Sequence, residues 1–264
     1  MDLKILCDKV IDLVKNTGLY IFEERKNFSA QHDVERKGHS NFVTYVDKNS
    51  EKQLVTQLGQ LIPGSGFIAE EGTSDVKGDV YNWVIDPLDG TTNFIHGLTP
   101  HSISVALMEH NEIVLGVVYE ISNGEMFYAT KGDGAYCNGH PIKVSENSDH
   151  QQALIATGFP YYDFSKIDNY LLVLRELMEK TSGVRRLGSA AVDLCYVACG
   201  KFEGFWETGL SPWDVAAGAF IVQQAGGKVT DFTCGNNFLF GRELIATNAL
   251  YFDKFYEIVN KHLG

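Results

Sequence analysis

Residues 82–94 read NWVIDPLDGTTNF, and this stretch places acidic residues directly after an apolar run. The run WVI at 83–85 has the composition of a short buried strand. Asp86 and Asp89 follow with a proline between them, and Gly90 then interrupts the regular backbone. A buried carboxylate needs water, a basic side chain or a metal ion to compensate its charge. The stretch therefore predicts a rigid strand whose end carries a functional site.

Two further sites also place an acidic residue at the end of an apolar element, beside a glycine or a turn. These sites are Glu70-Glu71-Gly72 and Trp213-Asp214. No Lys or Arg occurs within 82–100 or 202–227 to pair with the carboxylates. Oxygen ligands without His or Cys favour Mg²⁺, Mn²⁺ or Ca²⁺ over Zn²⁺. Each site alone is equally compatible with a helix cap or a solvated turn, but the three together favour a metal centre.

The residues that follow Asp89 predict a phosphate site. Gly90 permits close approach of the backbone to a ligand, and Thr91 and Thr92 can begin a helix with free N–H groups. Such a helix start binds anions. Metal-binding carboxylates beside a phosphate site are typical of a phosphatase that uses metal-activated water. No nucleophilic cysteine, G-x-S-x-G elbow or Walker A motif favours another mechanism.

Composition limits the class of protein. The chain has 264 residues, a formal net charge of −12 and 44% hydrophobic residues, which is ordinary for a globular protein. The acidic balance argues against direct nucleic-acid binding and against an anionic membrane surface. The five cysteines form no C-x-x-C pair and predict reduced thiols in the cytoplasm. We find no secretory signal and no apolar run near the roughly 20 residues that span a bilayer.

Periodicity along the chain predicts alternating helices and strands. The predicted helices lie at 1–26, 47–61, 166–181, 188–200, 212–226 and 250–262. The predicted strands lie at 66–71, 82–89, 102–109, 112–120, 125–138, 153–159, 202–209, 228–232 and 244–248, those from 102 to 141 forming an antiparallel meander. Residues 27–44 are polar and predict an exposed loop. Because no linker or repeat is present, we expect one unit over 1–264, with approximate halves at 1–145 and 146–264.

Three motifs in this order resemble the inositol monophosphatase family of magnesium-dependent, lithium-sensitive phosphatases. They are Glu70-Glu71 after a strand, DPLDGTTNF at 86–94 and WDVAAG at 213–218. The order and spacing match from about residue 1 to 260. The resemblance implies a mixed α/β fold, the layered αβαβα sandwich shared with fructose-1,6-bisphosphatase. It also implies two or three Mg²⁺ ions, replacement by Mn²⁺, inhibition by Li⁺ and Ca²⁺, and a homodimer.

The resemblance further implies a role for each matching residue. The Mg²⁺ ligands would be Glu70, Asp86, the Leu88 carbonyl, Asp89 and Asp214. Asp86 would bridge two ions, and Glu70 would help to hold a third, weaker ion through waters. Thr91 and Asp47 would orient and deprotonate the attacking water. The predicted catalytic residues are therefore Asp47, Glu70 and Thr91.

The remaining implied roles concern the substrate. The backbone amides of Gly90 and Thr91 would bind phosphate oxygens. The substrate contacts would be Asp89, the Ala190 amide, Glu207 and Asp214. Structural interpretations remain open for three of these residues: Asp47 can cap the following helix, Glu207 can be a surface strand residue, and Ala190 can serve close helix packing. Lys37 matches a basic residue of a mobile loop, where Asn41 replaces a common Asp.

The predicted reaction is hydrolysis of inositol monophosphate. The same metal and phosphate residues would equally serve a fructose-1,6-bisphosphatase, an adenosine 3′,5′-bisphosphate nucleotidase, an NADP phosphatase or another sugar or polyol phosphatase. The context ETGLSPWD around Glu207 favours the inositol phosphatases. A non-enzymatic regulatory binding protein is the alternative of a different class, and the intact set of acidic residues argues for catalysis.

Overall fold

The computed structural model describes residues 1–29, 34–36, 42–160 and 163–264, and begins with a long amphipathic helix. Helix α1 (Leu3–Asn27) is capped by the Asp2 side chain, which accepts hydrogen bonds from two backbone amides. Strands β1 (Val34–Arg36) and β2 (Phe42–Thr44) then pair antiparallel. The prediction of a simple loop over 27–44 was therefore wrong in part, because three-residue strands are too short to show a period. Lys37 and Asn41 lie outside the described residues.

A seven-stranded sheet follows, after helix α2 (Tyr45–Leu61). Its strands, in chain order and in spatial order, are β3 (Gly66–Ala69), β4 (Tyr81–Asp89), β5 (Ser102–Glu109), β6 (Glu112–Glu120), β7 (Glu125–Thr130), β8 (Ala135–Cys137) and β9 (His140–Ile142). Strands β3 and β4 are parallel, and the other neighbours are antiparallel. The short helix α3 (Thr91–His96) leaves the end of β4, as the two threonines predicted.

A mixed five-stranded sheet and four helices form the second half. The strands are β10 (Leu154–Thr157), β11 (Gly183–Arg185), β12 (Gly204–Thr208), β13 (Gly227–Thr230) and β14 (Glu243–Asn248), in the spatial order β11-β10-β12-β14-β13. The helices are α4 (Ile167–Lys180), α5 (Ala190–Ala198), α6 (Pro212–Gln224) and α7 (Phe252–Leu263). The sequence predicted all of these elements except the three-residue β11.

The helices and sheets stack in five layers. Helices α1 and α2 pack on one face of the seven-stranded sheet, α5 and α6 lie between the sheets, and α4 and α7 cover the far face of the second sheet. Three apolar clusters fill the spaces between these layers. The αβαβα sandwich is thus confirmed, whereas the division into two halves stays a prediction. All five cysteines are free thiols, and none of the helices in the described ranges has the length and apolarity to cross a bilayer.

A bulge near the end of β4 decides which way its acidic residues face. Asp86 is paired with Ser104, but Asp89 is paired with Ser102, so three steps on β4 match two steps on β5. Three steps along a regular strand would put two side chains on opposite faces. The extra residue turns Leu88 into the cluster under α1 and α2, and both aspartates are left on the face toward α5 and α6.

Helix α6 lies so close to this sheet that one strand position requires glycine. A Cβ atom built on Gly116 of β6 would lie 3.0 Å from the Ala217 carbonyl oxygen and 3.2 Å from the Ala217 Cα atom. Both contacts are with helix backbone, which cannot turn aside as a side chain can. The register of α6 on the sheet, and with it the position of Asp214, therefore depends on this glycine.

We expect Gly116→Ala to lower the free energy of unfolding by ~1–3 kcal/mol, because α6 must move away from the sheet. Gly59→Ala in α2 is the matched control, since its Cβ would lie an ordinary 3.6 Å from Phe67. That control should stabilise the protein by ~0.5–1 kcal/mol, as alanine does in helix interiors. Urea denaturation of both variants measures the difference, and equal stabilities would contradict the proposed packing constraint.

Candidate active site

A cavity of about 310 Å³ opens between the two sheets, where β4 and β12 end and α5 and α6 begin. Seven of the ten predicted site residues line it: Glu70, Asp89, Gly90, Thr91, Ala190, Glu207 and Asp214. The other three, Asp47, Asp86 and Leu88, are almost fully buried. Residues from four separate stretches of the chain thus meet at one place, although the roles predicted for them are not established by position alone.

Asp89 is held by the start of helix α5. Its Oδ2 atom accepts hydrogen bonds from the Ser189 hydroxyl at 2.6 Å and from the Ala191 amide at 2.8 Å. Burial raises the pKa of the Asp89 carboxyl, and the bonds from Ser189 and from the Ala191 and Ala190 amides act against that rise. The Ala190 amide, predicted to contact substrate, therefore faces Asp89 in this structure.

Asp86 is the most confined of the acidic residues. Its side chain is 2% exposed, and its Oδ1 atom accepts a 2.9 Å hydrogen bond from the Leu88 amide. Burial raises the pKa of Asp86 well above its usual range, and the negative charges of Glu70, Asp89 and Asp214 raise it further. The repulsion shows that four carboxylates share one region with too little positive charge.

Asp47 and Asp214 occupy equivalent places in their helices. Each is the third residue of a helix and accepts a hydrogen bond from the backbone amide of the N-cap residue, Thr44 at 2.9 Å and Ser211 at 2.6 Å. The capping interpretation is therefore correct for both residues, but in each case one oxygen still points elsewhere. Burial raises the pKa of Asp47 to about 6 and that of Asp214 to about 7, with the charge of Asp89 adding to the second rise.

The free oxygen of Asp47 connects the cap to the motif at 86–94. The Thr91 hydroxyl lies 3.1 Å from Oδ1 of Asp47 and 3.0 Å from the Leu88 carbonyl oxygen. A hydroxyl has one proton to donate, so its lone pairs stay available to accept a proton or a hydrogen bond. Asp47 is 1% exposed, whereas Thr91 lines the cavity, so only the threonine side of this pair faces the open space.

Glu207 stands on the side of the cavity formed by the second sheet. It is 7% exposed, and burial together with the charges of Asp214 and Asp89 raises its pKa well above the usual range. The positive charge of Arg186 acts in the opposite direction. A buried glutamate beside an open cavity is suited to contact hydroxyl groups, and the surface-strand interpretation is wrong.

Several residues that line the cavity were not predicted from the sequence. Those with polar or aromatic side chains include Arg186, Ser189, Asp193, Trp213 and Arg242. No Lys or Arg lies at 82–100 or 202–227, next to the acidic motifs in the sequence. The fold brings the two arginines to the cavity from other parts of the chain. Asp193 is 1% exposed, and its Oδ1 atom has no hydrogen-bond partner among the described residues. The run RRLGSAAVD at 185–193 was the available signal.

The acidic residues have the donor chemistry of an oxygen-ligated divalent cation. Oδ2 of Asp86 and Oδ1 of Asp214 accept no hydrogen bond from the part of the chain that the structure describes. Within those same residues, no three His, Cys, Asp or Glu side chains are already arranged to hold an ion. The residues therefore fit a divalent cation by the chemistry of their oxygen atoms and by their mutual repulsion, which a cation would relieve. They are not already arranged as a complete set of ligands.

The chain is similar to known phosphatases over nearly its whole length. The model of the inositol monophosphatase family matches residues 5–263. A putative Nus factor SuhB of Neisseria meningitidis is 41% identical over 231 residues, which cover 87% of this chain and 88% of the relative. The inositol-1-monophosphatase of Mesorhizobium japonicum is 38% identical, with 88% of this chain and 87% of the relative covered.

Two solved structures extend the comparison to the fold. The extragenic suppressor protein suhB of Bartonella henselae superposes with a TM-score of 0.92 at 35% identity, covering 98% of this chain and 100% of that one. The Thermotoga maritima IMPase gives a TM-score of 0.87 at 36% identity, with 97% of both chains covered. The fold is that of a family of metal-dependent phosphatases. This chain belongs to the inositol monophosphatase family.

The raised pKa values predict how the stability of the metal-free protein depends on pH. Between pH 5 and 8 the native carboxyl groups keep protons that the unfolded chain has already lost, so unfolding releases protons and stability falls as pH rises. Asp47, with its pKa of about 6, accounts for about 1 kcal/mol of this loss between pH 5 and 6. Urea denaturation in the presence of a chelator, at four pH values, measures this slope.

The variant Asp86→Asn tests the cause of the slope. Asparagine keeps a carbonyl oxygen for the Leu88 amide but removes a carboxyl group whose pKa is raised by its neighbours. We therefore expect a shallower decline in stability with pH than in the wild type. A wild-type stability that is independent of pH in chelator would contradict the electrostatic picture of this site.

Proposed function

We propose that this protein is a Mg²⁺-dependent phosphomonoesterase that hydrolyses inositol monophosphate to myo-inositol and phosphate. The observation that carries the proposal is that Glu70, Asp89 and Asp214 line one cavity, with Asp86 buried beside them and the Asp47–Thr91 pair adjacent. Relatives that bear the name inositol-1-monophosphatase support it at 38–39% identity.

In this proposal Glu70, Asp86, the Leu88 carbonyl, Asp89 and Asp214 hold two Mg²⁺ ions, and Glu70 helps to hold a third. Bound Mg²⁺ would lower the pKa of a water molecule and offset the charge of the leaving oxygen. Mn²⁺ would substitute, and Li⁺ and Ca²⁺ would inhibit. The chain itself provides the rigid frame, because three of the four carboxylates are fixed by backbone amides at helix starts or at the bulge.

Thr91 and Asp47 handle the proton of the attacking water. The Thr91 hydroxyl donates its hydrogen toward Oδ1 of Asp47, and its lone pair accepts a hydrogen bond from the water. Oδ2 of Asp47 is held by the Thr44 amide and hydroxyl at 2.9 and 2.5 Å, so the carboxylate cannot rotate away. The pair thereby orients the water for in-line attack on phosphorus and takes up its proton.

The turn between β4 and α3 offers the amides for the phosphate group. Gly90 has φ of 88°, in the left-handed region that favours glycine. A Cβ atom there would lie 3.1 Å from the carbonyl oxygens of Gly188 and Pro100, so a larger residue is also excluded by space. With this geometry the Gly90 and Thr91 amides are proposed to donate to phosphate oxygens.

The far end of the cavity determines the substrate class in this proposal. Glu207 and the Ala190 amide would contact hydroxyl groups of the substrate, together with Asp89 and Asp214. A cavity of about 310 Å³ is at the small end for ligand sites and suits a single polyol ring better than a nucleotide or a dinucleotide. Inositol monophosphate is therefore favoured over NADP and adenosine 3′,5′-bisphosphate, with other sugar phosphates as the nearest alternatives.

A second candidate role comes from the names of several relatives. Proteins called Nus factor SuhB from Pseudomonas aeruginosa and Escherichia coli are 41% and 40% identical to this chain. A regulatory binding role, as a homodimer in the cytoplasm, is compatible with the phosphatase proposal. The net charge of −12 argues that such a role would use protein partners rather than bare RNA. If this regulatory role is independent of catalysis, expression of the inactive variant Asp89→Asn should restore the wild-type phenotype in a strain from which the gene has been deleted.

A panel of substrates tests the proposed activity. Purified protein with Mg²⁺ should hydrolyse inositol 1-phosphate in preference to fructose 1,6-bisphosphate, adenosine 3′,5′-bisphosphate and NADP, and Li⁺ should inhibit. Asp89→Asn should fold but lose nearly all activity, because an amide cannot replace a carboxylate toward Mg²⁺. Release of phosphate measures both results, and a protein that hydrolyses none of the four compounds would refute the enzyme proposal.

Two adjacent threonines separate the proposed proton transfer from general effects on helix α3. Thr91→Ala removes the hydroxyl that contacts Asp47 and should reduce kcat by ~100-fold or more. Thr92→Ala is the matched control, because Thr92 is exposed and makes no described side-chain hydrogen bond. Its kcat should stay within about threefold of the wild type, within the usual scatter of exposed substitutions. Equal losses in the two variants would argue against the assigned role.

A further inference from the structure

A buried glutamate outside the predicted set holds the segment that carries Glu70. Glu51 lies on α2, one helical turn after Asp47, and its side chain is 0% exposed. Its Oε2 atom accepts a hydrogen bond from the Glu71 amide at 2.7 Å, and Oε1 accepts one from the Thr73 amide at 2.8 Å. Both carboxylate oxygens are thus used on backbone N–H groups of one short turn.

That turn lies at the edge of the sheet. It follows β3, which is the edge strand of the seven-stranded sheet. The Glu70 amide donates to the Ile85 carbonyl over 3.3 Å, a long hydrogen bond, and Gly72 and Thr73 are exposed. Gly72 has φ of 70°, so the chain reverses here in a left-handed conformation. The two charge-assisted bonds to Glu51 connect this turn to helix α2.

We propose that Glu51 is a positioning residue that fixes the turn at 70–73 and so holds Glu70 where it can bind Mg²⁺. This inference rests on the proposed function of the cavity. The carboxylate joins α2, which carries Asp47, to the turn that carries Glu70, and it thereby couples the positions of these two acidic residues. Partners that orient a metal ligand commonly change metal affinity 10–100-fold when they are replaced.

The variant Glu51→Gln isolates this role. Glutamine has nearly the same shape, but one acceptor oxygen becomes an NH₂ donor that faces one of the two amides. We expect Mg²⁺ binding, measured by titration calorimetry without substrate, to weaken by ~10-fold or more. Hydrolysis at saturating Mg²⁺ should retain kcat within about threefold, so that the loss lies in the Mg²⁺ requirement and not in the chemical step.

Glu120 provides a matched control in the same molecule. It is also 0% exposed, and it accepts hydrogen bonds from the Ser122 and Asn123 amides at 3.1 and 2.6 Å, in the turn after β6. Glu120→Gln makes the same chemical change in a turn that carries no predicted metal ligand. We expect it to lower stability as Glu51→Gln does, while Mg²⁺ affinity stays at the wild-type value.

The outcomes separate the two proposals. If wild-type protein binds no Mg²⁺ and hydrolyses no phosphate ester, the proposed function fails. If the wild type binds and hydrolyses but Glu51→Gln keeps its Mg²⁺ affinity, or Glu120→Gln loses affinity equally, the positioning role is overturned. Hydrogen exchange on the metal-free wild type gives a test that needs no variant: the Glu71 and Thr73 amides should exchange slowly, and rapid exchange of both would overturn the inference.

Discussion

The one-residue bulge in β4 is the constraint on which the acidic cavity depends. A strand presents alternate residues to opposite faces, so Asp86 and Asp89 would be separated by the sheet itself if the pairing were regular. The bulge moves Leu88 to the side of α1 and α2 and leaves both aspartates on the side of α5 and α6. Pro87 suits this position, since it has no amide to donate to the ladder. The cavity exists because the pairing with β5 is irregular at this one place.

The same carboxylates serve the fold and the site. Asp47 and Asp214 cap α2 and α6, and Asp89 accepts hydrogen bonds at the start of α5. The start of a helix offers unpaired N–H groups and a partial positive charge. These groups stabilise a carboxylate whose burial would otherwise cost too much free energy. Each cap uses one oxygen of the carboxylate and leaves the other directed elsewhere. Residues in such positions are oriented by neutral backbone amides, which leave the negative charge of the carboxylate to attract a cation.

The sequence predicted most elements and all the acidic residues of the site except Asp193, because apolar periodicity and the positions of carboxylates at element ends are local signals. The β1–β2 ribbon and β11 were missed, since strands of three residues show no period. Arg186, Arg242 and Glu51 were also missed. Their importance depends on contacts with residues at least 20 positions away, such as Glu51 with Glu71, and no local pattern records such contacts. The bulge was missed for a related reason. It is a shift in the pairing of β4 with β5, and the sequence of one strand does not specify how that strand is paired with another.

The two ends of the cavity belong to different sheets, and this arrangement bears on substrate choice. Asp86 and Asp89 end a strand of the first sheet, whereas Glu207 ends β12 in the second. Glu207 lies directly against Gly158, which follows β10, and a Cβ atom on that glycine would collide with the carboxyl group. The position of Glu207 is therefore set within the second sheet, independently of the end of the cavity that carries Asp86 and Asp89. Helices α5 and α6 lie between the sheets and contribute Ala190 and Asp214 to the cavity, so the spacing of its two ends follows from how these helices pack. In a family with this architecture, residues at the end of β12 can change without displacing the acidic residues at the end of β4. Substrate preference can therefore vary while the residues proposed to act on the phosphate group stay the same.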